Sequence, residues 1–321
     1  MQETRKFGFD LHQDNSAEFV TPIISEDYVD VPPWNTNDRK KVMSYKSVLT
    51  VLTDLHLANT PLDILIALAQ ANDGHAEALC LGVDRTQTGY YYAGANAMIL
   101  QETITRAQED AKALLEHADT VLGNSGVKWS SQDAVSPIAD IGRHVAMRSR
   151  FSDLVVLPQP YGEDRGPEGE AVVEAALFEG GVPVLVVPDG YALKSPPKSI
   201  LIGWNESNEA MNAIRRALPF LKGADSVRVV VIDPPKHGPE RSDPGGLLSQ
   251  FLSRHGVHCE IDVLAKSLPR VSDVLNRHVT DTGAEMVVMG AYGHSRFREA
   301  ILGGATRYML EKASVPIFMA H

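Results

Sequence analysis

The sequence runs through the same order of apolar and amphipathic segments twice. SVLTVL (Ser47–Leu52) is followed by a helical pattern and HAEALCLGVD (His75–Asp84). In the same way, SILIGW at 199–204 is followed by a helical pattern and SVRVVVIDPP at 226–235. Further on, SDLVVLP corresponds to AEMVVMG, and GVPVLVVP corresponds to SVPIFMAH. An internal repeat of this kind predicts two halves that share one fold.

Short β-branched runs that alternate with amphipathic stretches are typical of βαβ units, which build mainly parallel sheets. Runs such as LVVL and MVVM are apolar on both faces, as strands are when helices cover both sides of a sheet. We therefore predict an α/β, Rossmann-like fold with two tandem five-stranded, mainly parallel sheets flanked by helices. The first half also contains ANAMILQETITRAQEDAKALLEHADTVLG, which predicts one long amphipathic helix.

The segment PDGYALKSPPKS separates the two halves. Its prolines and glycine prevent a strand or helix from continuing through it. We predict a first domain at residues 44–190 and a second at residues 198–321. Residues 1–43 match neither half and are predicted to be a poorly ordered N-terminal extension, with Met43 as an alternative start.

Composition excludes several classes of protein. The formal net charge is −11, from 30 Lys and Arg against 41 Asp and Glu, which disfavours general binding to nucleic acid. The sequence has no apolar run of about 18 residues and no secretory signal, so we expect a cytoplasmic protein that does not enter membranes. Cys80 and Cys259 are far apart and are expected to be reduced thiols.

Four glycines interrupt the stretch MGAYGHSRFREAILGGATRYML at residues 289–310. Gly290 follows an apolar strand, at the edge where open α/β sheets bind ligands, and is expected to approach a ligand closely and to adopt positive φ. Gly293 closes the next turn, and a helix is predicted to start at Gly303, where free N–H groups attract phosphate. The spacing G-x2-G-x9-G thus predicts two amide-rich turns at one anion site. Turn geometry without a ligand is the alternative.

This motif, together with the strand order and the last strand VPIFM, resembles the universal stress protein family. The similarity extends over residues 44–321, so the chain resembles a tandem, UspA-like member. The resemblance implies a fold like that of the adenine nucleotide alpha hydrolases. It also implies that the second half binds ATP, or ADP or AMP, as its cofactor.

The resemblance implies a set of site residues in the second half. Gly290, Gly293 and Gly303 match the family residues that hold the phosphates and ribose. Gly304 stands where the family usually has Ser or Thr, so one hydroxyl donor is lost, and Thr306 is the residue that could replace it.

Four further residues complete the implied site. Asn205 stands where the family commonly has an Asp at the end of its first strand, and the main chain of Val231 matches the position that recognises the adenine edge. Ser295 and Arg296 lie between the glycine turns, where a positive charge would neutralise phosphate. Arg298 lies there as well, and the alternative is that Arg296 and Arg298 are a solvated pair beside Glu299.

The first half departs from the motif. Alignment of DLVVLP with EMVVMG places Pro158 at the position of Gly290 and Tyr161 at that of Gly293, and acidic residues follow. Proline has no N–H to donate, and the tyrosine would fill the phosphate space, so this half is predicted not to bind ATP. It is expected to act as an intrachain partner, with the two last strands paired edge to edge as a pseudo-dimer. Further homodimerisation is left open.

Two function hypotheses follow from different classes. The first is a cytoplasmic universal stress protein that binds ATP or a related adenine nucleotide in its second half and acts through conformation or partners. No residue is an evident general base for a γ-phosphate, so at most slow ATP hydrolysis is predicted. The second is a scaffold or regulatory protein with a vestigial site. A nucleotidyl transferase lacks visible catalytic groups, and the residues of HGVHCE are expected to point to different faces, which disfavours a metal site.

Overall fold

The computed structural model describes residues 45–85, 97–162, 165–192, 196–234, 243–291 and 304–321, without the side chains of 97–100. They lie in one compact unit, Val42–His321. The predicted N-terminal extension at 1–43 lies outside the described residues. Among the helices in these ranges, none is long and apolar enough to cross a bilayer.

Strands and helices alternate along both halves. The strands are β1 (Ser47–Leu52), β2 (His75–Asp84), β3 (Lys128–Pro137), β4 (Leu154–Pro158), β5 (Val184–Val187), β6 (Ser199–Gly203), β7 (Ser226–Ile232), β8 (Glu260–Leu264), β9 (Met286–Gly290) and β10 (Ile317–Ala320). The helices are α1 (Asn59–Asn72), α2 (Ala97–Gly123), α3 (Ile141–Ser149), α4 (Pro167–Glu174), α5 (Asn208–Gly223), α6 (Gly246–Arg254), α7 (Val271–Thr282) and α8 (Ala305–Lys312). The predicted long helix is therefore confirmed as α2.

The strands form one sheet in the order β3-β2-β1-β4-β5-β10-β9-β6-β7-β8. All pairings inside each half are parallel, and β5 pairs antiparallel with β10, with Leu185 opposite Phe318. The predicted α/β fold is confirmed, and the two sets of five strands join into a single ten-stranded sheet. Pairing of β5 with β10 covers two fully apolar edges that would otherwise be exposed.

The helices cover both faces of the sheet. On one face, α1, α2, α5 and α6 contribute buried residues such as Leu62, Leu114, Ile214 and Leu252 to one apolar cluster. On the other face, α3, α4, α7 and α8 contribute Ile141, Val172, Leu275 and Leu310 to a second cluster. Both clusters include strands from the two halves. Burial on both faces accounts for the absence of apolar–polar alternation in the central strands.

Aromatic residues pack where the two halves meet. The ring of Tyr45 lies 5.1 Å from that of Phe220 and 6.4 Å from that of Phe318, centroid to centroid. The Tyr45 hydroxyl donates to the carbonyl of Arg216 at 2.7 Å, and burial raises the pKa of this phenol well above its usual value. A residue just before β1 is thereby fixed to α5 of the second half.

Candidate functional site

A cavity of about 330 Å³ opens at the carboxyl ends of three strands in the second half. The first turns of two helices complete its wall. The residues that come from these elements are Gly203, Trp204, Asn205, Val230, Ile232, Val271, Ser272, Leu275, Met289, Gly290, Ala305, Thr306 and Met309. Most of the wall is therefore apolar, with a few polar groups near the strand ends.

The topology explains why a cavity forms at this place. β6 has β7 on one side and β9 on the other. The chain leaves β6 for α5 on one face of the sheet, whereas α8 lies on the other face beyond β9. Neighbouring connections that diverge to opposite faces leave a crevice beyond the carboxyl ends of the strands.

The loop after β6 is held by local hydrogen bonds. Trp204 continues the strand pairing through its N–H, which donates to the carbonyl of Val230 at 3.0 Å. The side-chain oxygen of Asn205 accepts from the N–H of Ser207 at 3.2 Å. The next residue, Glu206, has a left-handed backbone with φ of 63°. Such a conformation costs a non-glycine residue about 1–2 kcal/mol, so packing around this loop must compensate for it.

Gly290 is required for a reason that differs from the prediction. It ends β9 paired with Ala320, and it is absent from the glycines of positive φ among the described residues. The predicted positive φ at this position is therefore wrong. A Cβ on Gly290 would lie 2.5 Å from the backbone nitrogen of Ala210 and 2.8 Å from the backbone carbon of Glu209. Close approach of β9 to the first turn of α5 thus excludes any side chain.

The start of α8 lies at one edge of the cavity. Gly304 is the N-cap, and because glycine has no side chain it cannot hydrogen-bond the first turn of the helix in the way that a serine or threonine would. Thr306 lies in the first turn, lines the cavity and is 3% exposed. The first N–H groups of a helix have no partners within the helix, and the helix dipole favours an anion beside them.

Some of the predicted site residues that the structure describes lie together at this cavity. Asn205, Gly290 and Thr306 line the cavity, and Gly304 caps the helix at its edge. Val231 is not among the cavity-lining residues, and its side chain packs into the apolar cluster on the α5 side of the sheet. The predicted residues outside the described ranges are Gly293, Ser295, Arg296 and Gly303.

The second half matches a known family. Residues 197–321 match the model of the universal stress protein family. This part of the chain is similar to universal stress proteins. A curated relative, universal stress protein Slr1230 from Synechocystis sp., is 25% identical over 108 residues, which are 32% of this chain and 37% of the relative. The aligned region thus spans little more than a third of that relative. The resemblance predicted from the glycine motif and the strand order is confirmed.

Solved structures extend the likeness of fold to both halves. A universal stress protein from Archaeoglobus fulgidus has a TM-score of 0.67 at 15% identity, with 86% of this chain and 96% of that chain covered. A candidate universal stress protein from Pseudomonas aeruginosa has a TM-score of 0.55 at 14% identity, with 86% and 93% covered. At these identities the comparison concerns the fold.

Two polar residues of the cavity were missed by the prediction from sequence. Trp204 and Ser272 both line the cavity. Trp204 directly precedes the predicted residue Asn205, so a signal for it existed. Ser272 lies in the first turn of α7, far from the glycine motif in sequence, and only the folded chain brings it to the cavity.

The start of α4 in the first half corresponds to the start of α8 in the second half, and it contains a carboxylate. Gly166 is the N-cap of α4 and Glu168 is its second residue, as Gly304 and Thr306 are in α8. Glu168 is 6% exposed, and its Oε1 lies 2.5 Å from the guanidinium of Arg85. The other carboxylate oxygen, Oε2, lies close to Gly166. A Cβ added to Gly166 would be only 2.1 Å from this oxygen. A negative side chain of the protein itself thus lies at this helix start.

Proposed function

We propose that this protein binds an adenine nucleotide, ATP or else ADP or AMP, in the cavity of its second half. In this proposal the protein acts in the stress response through conformational or partner effects. The observation that carries the proposal is the combination of an apolar cavity with a helix start that has no side-chain cap. An apolar wall suits a flat heterocycle, and the first turn of α8 suits a phosphate.

The wall of the cavity suggests how the ligand would lie. The base would lie against the apolar part of the wall, which consists of Val230, Ile232, Leu275 and Met309. The volume of about 330 Å³ is at the lower end of the range of about 300–1,000 Å³ for small-molecule pockets. The phosphates would extend out of it toward Gly304. Asn205 would then hydrogen-bond the ribose without adding charge.

The remaining predicted site residues belong to the same proposal. The main chain of Val231 would recognise the base edge. The phosphates and ribose would be contacted by the residues of the glycine motif and those between its turns, namely Gly293, Ser295, Arg296 and Gly303. We propose at most slow ATP hydrolysis and a cytoplasmic location for the protein.

The two halves, residues 44–190 and 198–321, would act as an intrachain pseudo-dimer. Antiparallel pairing of β5 with β10 supports this arrangement, since a true dimer of identical halves pairs its last strands in the same way. A further homodimer is a second step that the proposal leaves open. The net charge of −11 supports the absence of nucleic-acid binding.

A scaffold with a vestigial site is the second candidate. Gly304 favours it, because a glycine at this N-cap offers no hydroxyl to a phosphate. Loss of one such donor costs about 1 kcal/mol, which weakens a nucleotide site without abolishing it.

Calorimetric titration of the full chain with ATP tests the proposal. We expect about one ATP per chain. Val271 begins α7, is 39% exposed and lines the cavity, so Val271→Trp should obstruct the site without burying the new ring in the core. The variant should bind at least tenfold more weakly, which corresponds to about 1.4 kcal/mol.

Leu247→Trp is the matched control for this experiment. Leu247 is the second residue of α6, is 66% exposed and is not among the lining residues. This variant should bind ATP as the wild type does. No binding by the wild type would favour the scaffold, and two ATP molecules per chain would contradict the silent first half.

A further inference from the structure

Two buried polar atoms of the cavity wall have no hydrogen-bond partner. The indole Nε1 of Trp204 and the hydroxyl Oγ of Ser272 are both inaccessible to solvent and unpartnered within the described part of the chain. Both residues line the cavity. Buried polar groups in folded proteins are nearly always paired, and the indole N–H of a buried Trp usually finds an acceptor. The two atoms therefore call for an explanation.

Neither side chain is used to cap a helix or to extend the sheet. Ser272 is 1% exposed in the first turn of α7, but the N-cap of that helix is Arg270, and no side chain caps it. Trp204 uses its backbone N–H for strand pairing, which leaves the indole N–H as an additional donor. Its ring packs against the apolar cluster on the α5 side of the sheet. The two residues thus come from opposite layers of the fold, and both line the cavity.

The chemistry of the two groups restricts what a ligand must offer. The indole N–H is only a donor, whereas the serine hydroxyl both donates and accepts. A ligand that satisfies both must present an acceptor to the indole and a donor or acceptor to the hydroxyl. The ring nitrogens of a purine are acceptors of this kind, and the apolar neighbours of Trp204 and Ser272 suit its faces.

We infer that Trp204 and Ser272 are specificity-determining residues that read the edge of a purine base in this cavity. The indole N–H donates to a purine ring nitrogen, and the Ser272 hydroxyl pairs with a second position on the base. This inference rests on the proposed function, because it concerns the ligand of the same site. It adds side-chain recognition to the main-chain contact expected at Val231.

A pair of serine variants separates recognition from structural support. Ser272→Ala removes an unpaired buried hydroxyl, so the free protein should keep or raise its melting temperature while its affinity for ATP falls about tenfold. Ser149→Ala is the matched control, because the Ser149 hydroxyl is also buried and unpartnered within the described residues but lies outside the cavity. It should change the melting temperature in the same direction and leave ATP affinity unchanged.

Trp204→Phe and three ATP analogues test the indole contact. The variant keeps an aromatic ring but lacks the N–H donor, so it should bind ATP about tenfold more weakly. Among 1-deaza-, 3-deaza- and 7-deaza-ATP, one analogue should lose a similar factor with the wild type and lose nothing further with Trp204→Phe. That pattern would assign the acceptor to one ring nitrogen.

The outcomes are distinct for the inference and for the proposed function. Failure of the wild type to bind ATP would overturn the proposed function and the inference together. Wild-type binding with full affinity in Ser272→Ala and Trp204→Phe would overturn the inference alone. Loss of affinity in Trp204→Phe with no effect of any deaza analogue would also overturn it, because the indole would then act through its shape.

Discussion

The ion pair between Glu168 and Arg85 gives a prediction about the stability of the first half. Glu168 is 6% exposed at the start of α4, and the side chain of Arg85 is 49% exposed. Replacing Glu168 by Ala removes a charge-assisted hydrogen bond, which contributes about 1.5–3 kcal/mol, and a favourable dipole interaction of about 0.3–1 kcal/mol. It also removes the desolvation cost of Oε2, which has no partner within the described residues. We expect a net loss of about 2 kcal/mol in the free energy of unfolding.

The partner variant should behave in a related way. Arg85→Ala leaves the carboxylate buried without its cation, which costs about 3–5 kcal/mol for a fully buried pair. Because Arg85 is half exposed, water will replace part of the lost interaction, and we expect a loss of about 2 kcal/mol here as well.

A double-mutant cycle measured by urea unfolding checks this reasoning. The variant that lacks both side chains should lose about as much stability as Glu168→Ala alone, which gives a coupling energy of about 2 kcal/mol. A coupling energy below about 0.5 kcal/mol would refute the view that the pair acts as a unit. Glu168→Ala should still bind one ATP per chain, because Pro158 and Tyr161 remain in place.

Three further predictions concern other parts of the chain. Gly290→Ala should lower the free energy of unfolding, measured with urea, by about 1–3 kcal/mol, because the new Cβ would meet backbone atoms. Gly223→Ala is the control: a Cβ there would have no atom within 4 Å, so this variant should be neutral or stabilising. Burial raises the pKa of the Cys80 thiol to about 12. At pH 8 Ellman's reagent should therefore label only Cys259 in the native protein and both cysteines after unfolding. Equal labelling rates of the two cysteines in the native protein would contradict this. Burial of Asp262 acts to raise its pKa, but hydrogen bonds from a histidine and an arginine outweigh it and lower the pKa. Its carboxylate therefore stabilises the fold above the unfolded pKa of about 4, and the stability difference between wild type and Asp262→Asn should shrink as the pH falls below that value.

The order of strands could be predicted from the sequence because it depends on local apolar patterning. The pattern of SILIGW predicts a strand at 199–204, and β6 runs from Ser199 to Gly203. The pattern at 226–235 overestimates the length of β7, which ends at Ile232. The backbone of Asp233 turns into the left-handed region with φ of 51°, a choice of conformation that apolar patterning does not report.

The candidate site could be predicted only in part. Glycine spacing pointed to the sheet edge at which the cavity lies. It attributed Gly290 to ligand approach, whereas packing against Ala210 is sufficient to require it. Whether a position such as Gly290 must be a glycine depends on contacts between elements that are distant in sequence, here β9 and α5. Ser272 was missed for the same reason, since nothing local distinguishes a serine that lines a cavity from one that faces solvent.

The two halves differ at the second residue of two equivalent helices. In α4 that residue is Glu168, whose carboxylate lies at the helix start and is paired with Arg85. In α8 it is Thr306, which brings no charge. A carboxylate beside a helix start repels a phosphate, whereas a start without one favours an anion from outside. Restoring a phosphate site in the first half would require changes at Glu168, Pro158 and Tyr161 together, so the two halves are expected to remain functionally distinct although their strand order is the same.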